Sequence, residues 1–143
     1  MTIVDEKGAS RAQLLVTTDG KVGLIMSDAA KNGKSGTSLQ VGPDGAPQLS
    51  MRDAAGTIRM MLILTGDGSP MLFLNDKKNV NRAGLCLDTE GLPTLRLQDE
   101  KGHTRTMLGS FTGDPTPDGK RTTFPENTLT LYGLDEKAYW KTP

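Results

Sequence analysis

Cysteine, histidine and aromatic residues are nearly absent from this 143-residue chain, which has 1 Cys, 1 His, 3 Phe, 2 Tyr and 1 Trp. A lone Cys86 excludes an intrachain disulfide and a thiolate metal site. A lone His103 removes the His–His and Cys–His pairs on which catalytic dyads and zinc sites are built. Charge of one sign is missing as well. Seventeen Lys and Arg balance seventeen Asp and Glu, so there is no electrostatic footprint for nucleic acid or an anionic membrane surface. No apolar run approaches the ~20 residues that span a bilayer, and no secretory signal is visible at the start. The compartment is left open. The length suits a single domain, 1–143, able to bury a core.

What is abundant is repetition. The same aspartate returns at Asp5, Asp28, Asp53, Asp76 and Asp99, with gaps of 23, 25, 23 and 23 residues. The unit reads D-x-x-G-x-x-R-x-x-L, then a polar turn ending in (D/E)-G, then x-P-x-L-x-L-x-D. Gly8/Arg11/Leu14, Gly56/Arg59/Leu62 and Gly102/Arg105/Leu108 carry its first half; Pro70/Leu72/Leu74 and Pro93/Leu95/Leu97 carry its second. A constant period of this length marks an architecture built by repetition. The repeats run over about 5–27, 28–52, 53–75, 76–98 and 99–143.

Each repeat holds two short segments with apolar residues at i and i+2, such as Leu62/Leu64 and Leu72/Leu74. That spacing puts both side chains on one face of a strand, and Pro or Gly interrupts every window long enough for a helix. The expected fold is all-β: about ten short strands as serial two-stranded hairpins. They would close as a barrel or sandwich, or intertwine in a fibre-like oligomer. Asp19-Gly20, Asp44-Gly45, Asp67-Gly68 and Glu90-Gly91 supply the positive φ of tight turns. Folding about them is expected to face Val16 with Leu24, Leu14 with Met26, Leu64 with Leu72, Leu62 with Leu74 and Leu87 with Leu95. The last unit departs most, because a Pro-rich stretch over 111–126 precedes Leu129. Pairing Ser110 with Leu129 would keep the hairpin logic, with Tyr139-Trp140 as an apolar cap.

Residues that could carry chemistry are few. Gly33-Lys34-Ser35 resembles the tail of a phosphate loop, but Asp28 stands where the leading glycine belongs and a repeat turn replaces the helix. The aspartates could form a calcium ladder, yet no calcium-loop motif occurs, and capping of turns with pairing to Arg11, Arg59, Arg82 and Arg105 is expected instead. No catalytic residue, metal ligand or cofactor is nominated, and an enzyme is not expected.

One feature is unexplained by turns. Opposite the regular leucines most residues are polar, but the third repeat carries Met61, Ile63, Met71 and Phe73 there. Such a cluster is too apolar for water and marks an oligomer interface. Leu15 and Ile25 make a smaller patch. Phe111, Phe124, Tyr132 and Trp140 gather around the 111–126 loop and are the candidate ligand residues.

The serial G-x-x-R-x-x-L and D-G-x-P-x-L-x-L-x-D units, over roughly residues 5–110, resemble uncharacterised bacterial β-repeat proteins, a resemblance that implies architecture and no activity. A fainter likeness to trimeric viral and phage fibre shafts points to a homo-oligomer, a trimer first of all. The expected function is a non-enzymatic structural or adhesion-type module that self-associates, without nucleic acid and without a membrane span in this chain. The alternative is a module binding a carbohydrate, peptide or protein partner through the 111–126 loop.

Overall fold

The computed structural model describes residues 1–28, 33–109, 111–112, 123–124, 128–135 and 137–141. Every regular element among them is a strand. The first half of the chain holds β1 (Thr2–Val4), β2 (Ser10–Val16), β3 (Val22–Ser27), β4 (Gly36–Val41), β5 (Pro47–Arg52) and β6 (Ile58–Leu64). The second holds β7 (Pro70–Asn75), β8 (Asn81–Leu87), β9 (Pro93–Gln98), β10 (Thr104–Gly109), β11 (Phe111–Thr112), β12 (Thr123–Phe124), β13 (Leu129–Tyr132) and β14 (Ala138–Lys141). The all-β hairpin architecture is as the repeat predicts.

Twelve strands form one antiparallel meander, running in chain order from β1 to β10 and on through β13 to β14. β11 and β12 pair apart from it as a small ribbon. β1 and β14 are the two edges and do not meet, so the sheet is open and no barrel closes. Every substantial contact runs between strands that are neighbours in the sheet. The main sheet is therefore an open meander held by its neighbouring strands.

The register differs from expectation by two residues. Val16 faces Val22, Leu14 faces Leu24 and Ala12 faces Met26. Likewise Leu64 faces Pro70 and Leu62 faces Leu72, while Leu87 faces Pro93 and Leu85 faces Leu95. The turn is tighter than assumed. The Thr17 amide donates to the Lys21 carbonyl and the Gly20 amide to the Thr17 carbonyl, so residues 17 to 21 close the hairpin. Gly20 takes a φ of 83°, where any side chain would be strained. Because the slip is even, every side chain keeps its expected face. The last hairpin shifts in the same sense, since Leu129 faces Leu108; Ser110 lies outside the described residues. Tyr139-Trp140 lies in edge strand β14, paired to β13 at the end of the sheet.

The corrected register produces a continuous ladder. Leu14, Leu24, Leu39, Leu49 and Leu62 stand in line, each the partner of the next. The line continues through Leu72, Leu85, Leu95, Leu108 and Leu129. Ten leucines thus cross ten strands, and nine spacings of about 4.8 Å make a row about 43 Å long.

Candidate functional site

Two edges of corners and two faces are what the sheet offers. At the corners carrying the repeat aspartate, Asp76 Oδ1 accepts the amides of Lys78 at 2.8 Å and Val80 at 3.0 Å. Asp5, Asp53 and Asp99 accept the same two amides of their own turns. Their second oxygens face arginine, with Arg11 at 3.8 Å from Asp5, Arg59 at 3.3 Å from Asp53 and Arg82 at 3.4 Å from Asp76. Arg105 bonds Asp99 most closely. The expected turn-capping role holds at these four corners.

The arginines also reach across to the next hairpin. Arg59 Nε donates to the Asn75 carbonyl and Arg82 Nε to the Gln98 carbonyl, both at 2.9 Å, and Arg105 donates to Gly133. One side chain so ties an aspartate corner to the strand end before the following corner. The Val80 and Lys78 amides and Arg82 hold Asp76 below the usual carboxylate pKa, against a desolvation effect that pushes upward. At Asp53 and Asp99 desolvation opposes more strongly, and the turn amides with Arg59 or Arg105 still win. His103 lies in the Asp99 corner, 3.4 Å from its carboxylate. On the other edge Lys21 and the Thr17 hydroxyl lower Asp19 to about 2.

The faces differ in kind. The leucine row is flanked by Val16, Val22, Val41, Leu64 and Leu87 with prolines on one side, and by Met26, Met51, Met60, Leu74, Leu97 and Leu131 on the other. No charged residue stands in these three rows. Yet this face is open: Leu14 is 50%, Leu39 55%, Leu62 45% and Leu85 48% exposed. The opposite face mixes polar and apolar side chains and is the less exposed one. Ser50 at 3%, Thr94 at 8% and Thr130 at 0% are buried on it, and so is Met107.

Several polar groups of the mixed face bond to one another within the sheet. The Ser38 and Ser50 hydroxyls bond at 2.7 Å, and Gln48 donates to Gln40 at 3.0 Å. Both contacts join directly facing positions of β4 and β5. The four residues expected at an interface are brought together here, Met61 facing Phe73 and Ile63 facing Met71, and all four are half-buried. Cys86 extends the patch beside Met71. Leu15 and Ile25 are half-buried on the same face.

The four aromatic candidates fall on four strands. Phe111 faces Phe124 across β11 and β12. Trp140 faces Leu131, which puts it on the leucine face, 47% exposed. Tyr132 follows Leu131 in β13 and takes the opposite face, half-buried, where desolvation raises its hydroxyl pKa. Most of the 111–126 loop lies outside the described residues. Gly33-Lys34-Ser35 closes the corner into strand β4 and opens no helix. Among the described residues no three His, Cys, Asp or Glu side chains gather as a metal site.

What sequence reading missed is the leucine face as a surface. The signal was present, because the leucines recur without a charge in register. Alternation says which residues share a face and nothing about what covers it. No protein-family model matches the chain, and no curated protein matches it either.

Proposed function

We propose that this chain is a non-enzymatic structural or adhesion-type β-repeat module that works by assembling with copies of itself. The observation that carries the reading is the apolar face that the open meander leaves exposed, with Leu14 at 50% and Leu39 at 55%. The chain exposes 9505 Å². A compact folded monomer of 15.3 kDa exposes about 7,100 Å². The chain's total is about 2,400 Å² above the compact value, and the open leucine face contributes to it. A sheet that cannot cover its own apolar face is stable where another sheet covers it, the logic that makes short repeats stack. The fibre-shaft resemblance names three copies as the first state to test.

Sedimentation equilibrium of the full chain at micromolar concentration is the test. A mass of two or more chains supports the reading, and a stable 15.3 kDa species overturns it. A second reading, a glycan or peptide site on the 111–126 loop, draws on the facing pair Phe111 and Phe124. It predicts saturable binding on a glycan array that Phe124→Ala abolishes.

A further inference from the structure

We infer that the leucine face packs against the leucine face of a second copy of this chain, so that two incomplete sheets share one core. This rests on the self-association proposed above and adds which surface does it. Three observations converge on that face.

The first is composition. Across ten strands the three rows of this face hold leucine, valine, methionine, proline, alanine and two threonines, Thr37 and Thr106, with no group that water can solvate as an ion. The mixed face, in contrast, carries Gln40, Gln48, Ser38, Ser50 and Arg96, several of them already bonded to one another. The same face also holds the half-buried Met61, Ile63, Met71 and Phe73, whereas the leucine rows hold no polar side chain but the two threonines and stand open to water.

The second is shape. Each central position bears the same side chain, so the row presents knobs of equal height at regular intervals. Such a surface is complementary to itself, as a two-fold contact requires. Sheets packing face to face interdigitate such rows about 10 Å apart.

The third is the rim. Corners at both ends of the strands carry the charge, Asp53 with Arg59, Asp76 with Arg82 and Asp99 with Arg105 at one end, Asp19 with Lys21 at the other. An apolar centre inside a charged rim is the anatomy of a protein interface. Lipid is the competing occupant, and the band is too short for it. The outer rows lie four residues apart, about 14 Å, against the roughly 25 Å of apolar band on a membrane barrel. The longest strands have seven residues, where crossing takes about 9–11.

The natural probe is Trp140, the single tryptophan, which stands on the leucine face and is half exposed in the isolated chain. Full-length protein is titrated from nanomolar to high micromolar, with mass followed by sedimentation velocity and Trp140 by emission and iodide quenching. The expected result is a blue shift and at least about twofold weaker quenching as the assembly forms, since an interface excludes water. Leu62→Asp should raise the dissociation constant at least about thirtyfold, and Phe73→Asp on the other face less than about threefold.

Far-ultraviolet circular dichroism confirms that each variant keeps its strands, and the wild-type quenching result needs no variant. A chain that stays monomeric throughout overturns the inference together with the self-association reading. An assembly in which Trp140 stays equally quenched, or which Phe73→Asp dissociates and Leu62→Asp does not, overturns the face assignment alone. Binding of the monomer to neutral lipid vesicles also overturns it.

Discussion

The two faces of this sheet are built from the same strands and solve opposite problems. On the mixed face, Ser38 with Ser50 and Gln40 with Gln48 pair sideways along the rows, so their polar groups are satisfied before any partner arrives. On the leucine face nothing sideways helps. Leucines in a row touch each other and still leave half their surface in water, as Leu14 and Leu39 do. The difference teaches that a regular apolar pattern specifies which residues share a face and leaves open whether that face is covered.

The most direct way to break this comparison is to shorten one residue on each face. Leu72→Ala should cost about 2–4 kcal/mol in the assembled protein, where its side chain is covered. Gln48→Ala should cost less than about 1 kcal/mol, since one net hydrogen bond is lost at a half-exposed site. Urea midpoints of both variants give the ratio, and equal losses would erase the distinction between the faces.

Bulk sharpens it next. Gly36 lies in the mixed-face row between Ser27 and Arg52. A Cβ there would come within 2.2 Å of the Met26 carbonyl oxygen. Gly36→Ala should therefore destabilise by about 1–3 kcal/mol. Gly66→Ala, where nothing lies within 4 Å, should change stability by less than about 1 kcal/mol. Thermal melts of the two variants check this.

A smaller effect belongs to the corners that rim both faces. Arg82→Ala removes the bond to the Gln98 carbonyl and the pair with Asp76. With the side chain 41% exposed, the loss should be about 0.5–1.5 kcal/mol. Arg82→Lys should recover only part of it, because one ammonium cannot make both contacts in that geometry. Urea midpoints measured at low and at high salt would separate the ionic share.

The smallest effect per group is acid sensitivity. Asp53, Asp76 and Asp99 have lowered pKa values in the folded chain, so folding favours their ionised form. Their stabilisation is complete above the unfolded carboxylate value of about 3.9 and is lost as pH falls below it toward the folded values. Melting temperature should hold from pH 7 to about 5 and decline below about 4, with a shallower decline in Asp76→Asn. The leucine face has no titrating group in its rows, so association should weaken in acid only as far as folding does.

Much of the architecture was legible. The aspartate, glycine and arginine of each repeat named the corners, and Asp53, Asp76 and Asp99 cap them as the spacing implies. The gathering of Met61, Ile63, Met71 and Phe73 followed from alternation and survived the register change, because a slip of two residues leaves faces unchanged. The register itself was not legible. It depended on the hydrogen bonds that close residues 17 to 21, which composition alone does not count. Trp140 and Tyr132 were read as neighbours because they are close in sequence, and adjacent strand positions with opposite facing put them apart.

By itself, then, the sequence determined what is local: strands from period-two alternation, corners from Asp and Gly, and which side chains share a face. Only the tertiary structure decided that Leu14 through Leu129 fall into one unbroken row, that β1 and β14 stay apart, and that the leucine row faces outward. The physical reason is range. Turn chemistry and alternation act within a few residues, whereas closure and exposure depend on how strands far apart in the chain meet, and here the outer strands do not meet at all.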